Sequence, residues 1–285
     1  MIETVFTGLT KQSEIYRKLI DIDIEYAPPE VAALWEMRAH LPEKAVPYIG
    51  NNIKMMAVGS AVVRAYKRIN FGGSACLYKG PKNPLKKKLL LVCFCGNADR
   101  MMLPTALFLQ FLPETLFDVL ILRDSSKFAY MQGVTGYVNN LSELPARIGN
   151  DLNLNEYEHT LCMGCSSGGA AALYAGILLG SRRAVSIGGM HPSVYDLLPS
   201  ACDSDTELKR DFDRFVADQV SSTQTELVCV FGELHPSDVT GAQTLKKFLP
   251  ACKFLSVKGL DNHDILYSLY SKNQLMQFFK MMLLR

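Results

Sequence analysis

Residues 160–179 read TLCMGCSSGGAAALYAGILL, and three successive patterns in them decide the architecture. Residues 160–163 are a short apolar run of strand length, and residues 167–179 are a longer run of small and apolar residues of helix length. Between them lies Gly164-Cys165-Ser166-Ser167-Gly168, a G-x-S-x-G. As letters alone the pattern is weak, since a chain this long matches it by chance roughly one time in ten at average glycine and serine usage. Its setting gives it physical content. A chain that leaves a strand and enters a helix within one or two residues must pass the central residue through a strained conformation, and flanking glycines remove the clashing Cβ atoms. Such a turn holds the Ser166 hydroxyl at the C-terminal edge of a sheet. It also directs the Ser167 amide and the helix N-terminus at any negative charge that develops there. A glycine-rich turn that only lets the helix pack closely would show the same letters, so the rest of the chain has to supply a base.

Outward from this stretch, short apolar runs alternate with longer helical ones, the pattern of a mostly parallel sheet flanked by helices in an α/β fold. Strands are expected at 89–95, 118–122, 160–163, 184–187, 227–231 and 253–257, each buried on both faces. Helices are expected at 104–112, 167–179, 206–220, 241–248 and 273–284. In the third, Leu208, Phe212, Phe215 and Val216 recur at helical spacing. The N-terminal part reads differently, with helical stretches at 12–20, 30–40 and 55–69 around a Pro28-Pro29 break. Gly72-Gly73 marks its end, and 74–78 reads as an early strand. The expected organisation is an N-terminal helical extension over 1–73, able to cover a site, and an α/β domain over 74–285.

Composition narrows the function classes. With 48% hydrophobic and 20% charged residues the chain reads as globular, and a net charge of +2 gives no field for nucleic acid. Lys86, Lys87 and Lys88 read as a solvated lead-in to a strand. No secretory signal opens the sequence and no apolar run approaches the roughly 20 residues that span a bilayer. A soluble cytoplasmic protein with no membrane span is expected, and its eight cysteines are expected to be free thiols in a reducing compartment. Cys162 and Cys165 form a C-x-x-C, but Cys162 falls inside a strand, where a redox cysteine would not be accessible. The cysteines and histidines lack paired ligand spacing, so no metal and no cofactor are expected.

A serine hydroxyl needs a base. Of the five histidines, His40 lies in the extension and His159 at the wrong end of the strand before Ser166, while His191 and His235 follow strands and could line a cleft. His263 sits in Gly259-Leu260-Asp261-Asn262-His263, the loop after the last strand, where a Ser, acid, His order places the base. The acid is expected after the strand at 227–231, as Asp238 or Glu233, with Asp238 preferred. A second oxyanion donor is expected from Gly96-Asn97-Ala98, as the amide of Asn97 or Ala98, beside that of Ser167.

From about Ser74 onward the chain resembles the α/β-hydrolase superfamily. The resemblance is carried by FCGNADR (94–100), MGCSSGGAAALYAG (163–176), VFGELHPSD (230–238) and KGLDNHD (258–264). The run of LILRD, GVTGY and the glycine-serine turn is also similar to hydrolase-like proteins of bacterial surface-polysaccharide loci. The resemblance implies an eight-stranded, mostly parallel sheet and a triad carried onto Ser166, Asp238 and His263. It implies acyl chemistry on a carboxylic ester or thioester, small-molecule or glycoconjugate, by hydrolysis or by transfer to a carbohydrate hydroxyl. A hydrolase-like binding module without activity is the alternative. Two departures stand out: His235 occupies the place where many relatives have an aspartate, and Cys95-Gly96 stands for their His-Gly pair.

Overall fold

Leu90, Val92 and Phe94 face one side of their strand and Leu89, Leu91 and Cys93 the other, and both sets are buried, so this strand needs a helical layer on each side. The computed structural model describes residues 5–9, 11–193 and 223–285 and supplies both layers. The strands are β1 (Lys67–Asn70), β2 (Ala75–Lys79), β3 (Lys88–Phe94), β4 (Phe117–Leu122), β5 (Tyr157–Cys165), β6 (Arg183–Ile187), β7 (Glu226–Gly232) and β8 (Lys253–Val257). They form one eight-stranded sheet in the order β1-β2-β4-β3-β5-β6-β7-β8. The first three in that order pair antiparallel, and every later neighbour pair is parallel.

One face carries α1 (Gln12–Glu25), α2 (Pro28–Glu36), α3 (Ala45–Gly59) and α4 (Thr105–Gln110). The C-terminal α8 (Ile265–Ser271) and α9 (Leu275–Phe279) join them in the same apolar cluster. The other face carries α5 (Leu144–Asp151), α6 (Gly168–Leu178) and α7 (Pro236–Phe248). The N-terminal helices therefore share a core with the sheet: Leu19, Ile22, Leu34 and Ile49 lie in one cluster with Leu91, Cys93 and Val119.

Several expectations are corrected. The helix expected over 55–69 is the end of α3 followed by β1, whose Lys67 to Asn70 pair with Lys79 to Cys76. A four-residue antiparallel strand with little apolar content, KRIN, leaves no periodic signal to oppose the helical reading. Strand β8 is not doubly buried: it closes the sheet at an edge, and its residues are half-buried or exposed. Helix α7 starts at Pro236, five residues before the expected Gly241, because proline is pre-shaped for the first helical position. The terminal helix expected over 273–284 begins at Leu275, after Asn273 at φ 55°, and its last part, Lys280–Leu284, is π-helical rather than α-helical. Lys88 is not solvated but buried, its ammonium on Asp118, which also accepts from the Gly80 amide and the Tyr157 hydroxyl at 2.9 Å each. The helix expected over 206–220 lies outside the described residues. Among those described, seven cysteines are free and no helix is long and apolar enough to cross a membrane.

Candidate active site

Strand β5 runs to Cys165 and α6 begins at Gly168, so Ser166 and Ser167 alone make the turn. Ser166 has φ 51°, in the left-handed region that a residue with a Cβ enters only at a cost of roughly 1–3 kcal/mol. Its amide donates to Ile187 at 2.9 Å and its carbonyl accepts from Gly169 at 3.0 Å, which holds the strained conformation from both sides. The flanking glycines are needed for space. A Cβ on Gly164 would stand 2.1 Å from the Gly168 carbonyl oxygen, and one on Gly168 would stand 2.3 Å from that of Phe94.

The turn opens onto a cavity of about 570 Å³ whose wall includes Ser166, His263, Gly96, Asn97 and Ala98. On that wall, Nδ1 of His263 lies 2.6 Å from Oδ1 of Asp238, whose side chain is 0% exposed. Asp238 belongs to the first turn of α7 rather than to a loop, and its Oδ2 accepts the Gly232 amide at 3.1 Å. The Leu234 amide donates to the Leu260 carbonyl at 2.8 Å, tying the segment that carries the acid to the loop that carries the histidine. The hydrogen bond to Asp238, opposed by burial, holds the pKa of His263 above the ordinary imidazole value. Glu233, the other candidate acid, sits at the surface and accepts from Lys258 and from the Gly259 amide at 2.9 Å. Among the described residues no hydrogen bond joins the Ser166 hydroxyl to His263; the two share the cavity wall, and such contacts commonly tighten only with substrate in place. The amides of Asn97, Ala98 and Ser167 donate to no acceptor of the described chain, and Asn97 and Ala98 lie on the cavity wall.

Two further expectations are settled by position. His191 does not line the cavity: it is buried, stacked on Phe248 at 3.7 Å between ring centroids, with Nδ1 2.8 Å from the Ser193 hydroxyl. His235 lies instead beside Asp238, Nδ1 3.0 Å from Oδ1. His235, Asp238 and His263 thus bring ligand-type atoms within 4.8 Å of one another, the arrangement most able to hold a metal among the described residues. Contacts of 2.6 and 3.0 Å are nevertheless shorter than the ~3.3 Å that separates two ligands on a tetrahedral zinc ion, and they fit hydrogen bonds.

The sequence reading missed the opposite wall, where Asp23, Tyr48, Asn51, Asn52 and Met55 come from α1 and α3. Asp23 is buried and accepts from the Tyr48 hydroxyl, from Asn52 Nδ2 at 3.1 Å and from the Arg100 guanidinium at 3.1 Å. One signal for it was present, an acid at the helical spacing of Leu19 and Ile22 on the buried stripe of α1. Arg100 closes the loop that begins at Gly96, and its carbonyl accepts from Cys165 Sγ at 3.4 Å. The helices of the extension therefore hold the segment that carries Asn97.

Cys165 neighbours Ser166 but is fully buried, and burial drives its thiol well above the ordinary range. Burial likewise pushes Cys162 up to about 12, which removes the redox reading of this C-x-x-C. Cys165→Ala is expected to change turnover of an ester substrate by no more than a few-fold, since an inert buried thiol behaves as a small hydrophobe; a steady-state comparison with wild type checks it.

With this geometry in place the fold can be named: it is the α/β-hydrolase fold. Over 99% of this chain and 93% of the other, it superimposes on 2,6-dihydroxy-pseudo-oxynicotine hydrolase with a TM-score of 0.52 at 10% identity. Carboxylesterase CesB (YbfK) from Bacillus subtilis matches 81% of this chain and 95% of its own at a TM-score of 0.49 and 13% identity. Est1E from Butyrivibrio proteoclasticus matches 78% and 100% at 0.48 and 16%. No protein-family model matches the chain, and no curated protein matches its sequence.

Proposed function

We propose that the chain is a serine hydrolase that opens a carboxylic ester or thioester through an acyl-enzyme on Ser166. The observation that carries the reading is the 2.6 Å contact between His263 and a wholly buried Asp238, facing the cavity into which a strained turn presents Ser166. In this mechanism neutral His263 takes the Ser166 proton through Nε2 as the hydroxyl attacks the carbonyl carbon. Asp238 holds the imidazole in the Nδ1–H tautomer and stabilises the imidazolium. The amides of Ser167 and Asn97 receive the oxyanion, and His263 returns its proton to the leaving group. Water then releases the acyl group; a carbohydrate hydroxyl in the same position would make the reaction a transfer. The polar wall from α1 and α3 takes the part of the substrate away from Ser166.

A fluorophosphonate probe is expected to label Ser166, located by peptide mapping, and a panel from acetyl to long acyl esters, with and without carbohydrate acceptors, separates hydrolysis from transfer. Failure of the probe to label the folded chain would leave the binding-module reading in its place. The pH dependence follows from the raised pKa of His263. The base works only when neutral, so activity falls as pH drops through that value, and the acidic limb of kcat/KM is expected to have its midpoint above the ordinary imidazole value of roughly 6.5. A midpoint well below this would show that His263 does not feel Asp238.

A further inference from the structure

Asp238 has a second histidine on it. Oδ1 faces His263 Nδ1 at 2.6 Å and His235 Nδ1 at 3.0 Å, and Oδ2 accepts the Gly232 amide at 3.1 Å. The two imidazole centroids are 5.4 Å apart, so both rings converge on one oxygen. A carboxylate removed from water is tolerable only when its lone pairs are used, and one histidine with one amide would leave this one short of donors.

His235 also stands at the N-cap of α7, where its Nδ1 lies 3.4 Å from the Asp238 amide. One ring nitrogen cannot accept from that amide and donate to Oδ1 at once. The carboxylate contact is the shorter and is charge-assisted, while 3.4 Å is long for a hydrogen bond between nitrogens. Nδ1 of His235 therefore carries a proton, and histidine is here for a reason other than capping, for which Ser, Thr, Asp and Asn are the usual residues. The surroundings leave Asp238 as its partner: on its own segment Glu233 is held by Lys258, and the ring that faces it from the β8–α8 loop is His263.

We propose that His235 is a positioning residue of the catalytic apparatus, a second N–H donor that fixes the Asp238 carboxylate in place against His263. This rests on the serine-hydrolase reading for its kinetic consequence but not for its structural one, so the test has two arms. In the full chain with histidine labelled by heavy nitrogen, NMR is expected to show both His235 and His263 as Nδ1–H tautomers with downfield protons, and Asp238→Asn to alter both. His235 found with its proton on Nε2 alone overturns the proposal whether or not the chain is an enzyme.

In the second arm, the pH dependence of fluorophosphonate labelling and of ester turnover is compared between wild type, His235→Ala and His235→Asn, with thermal unfolding as the control for folding. Removing a donor leaves Asp238 a stronger partner of His263. His235→Ala is therefore expected to move the acidic limb up by about half a pH unit and to lower kcat roughly tenfold with little change in KM. His235→Asn keeps an N–H donor at the cap and is expected to recover most of both effects. Unchanged limb and rate in His235→Ala, or no recovery in His235→Asn, overturns the role. Absence of labelling in wild type fails the hydrolase reading and the kinetic role together, and leaves the tautomer result to stand or fall alone.

Discussion

Ser166→Ala is expected to abolish fluorophosphonate labelling and to lower ester turnover by about a thousandfold or more, because nucleophile, base and acid act as a unit and removing one leaves only binding and the oxyanion donors. The fold should survive. The hydroxyl makes no hydrogen bond within the described chain, and what shapes the turn is backbone: the Ser166 amide on Ile187, its carbonyl on Gly169, and the close approaches at Gly164 and Gly168. Alanine meets the same penalty at φ 51° that serine does, so thermal unfolding should move little. Near wild-type turnover in this variant would remove Ser166 from the mechanism. Loss of activity in Cys165→Ala with Ser166→Ala intact would transfer the role to the thiol, against its complete burial.

What was legible in the sequence follows the range of the forces involved. The turn at Ser166 and the loop at His263 could be read because each is specified locally, by glycine spacing and by position after an apolar strand. Asp238 could be placed near the end of β7, yet not in a helix: the residues between Gly232 and Gly241 are polar and aperiodic, and only the fixed φ of Pro236 starts α7 that early. The wall opposite Ser166 could not be assembled at all. Asp23, Tyr48, Asn52 and Arg100 are scattered over three segments, and only the packing of α1 and α3 on the sheet brings their side chains to one carboxylate. The same holds for the contact of His235, which the sequence marks only as standing where many relatives have an aspartate and which the fold alone brings to the oxygen it shares with His263.

Asp238→Asn is expected to be the most damaging conservative change in the chain, lowering turnover on the order of ten-thousandfold. Two consequences of one substitution add in the same direction, and a third shifts the pH profile. Asparagine can offer its amide NH₂ to His263 Nδ1, which favours the tautomer with the proton on Nε2, where it blocks abstraction of the Ser166 proton. Loss of the carboxylate also removes the charge that stabilises the imidazolium in the transition state. Finally it lowers the pKa of His263, since the hydrogen bond to Asp238 is the largest cause of its rise, so whatever activity remains should show its acidic limb at lower pH than wild type. Glu233→Gln should cost far less, because Glu233 spends its oxygens on Lys258 and the Gly259 amide at the surface and makes no contact with His263. Steady-state rates of the two variants on one ester across pH decide the matter. A larger loss in Glu233→Gln would move the acid off α7, and an unshifted acidic limb in Asp238→Asn would mean that the 2.6 Å contact does not set the basicity of His263.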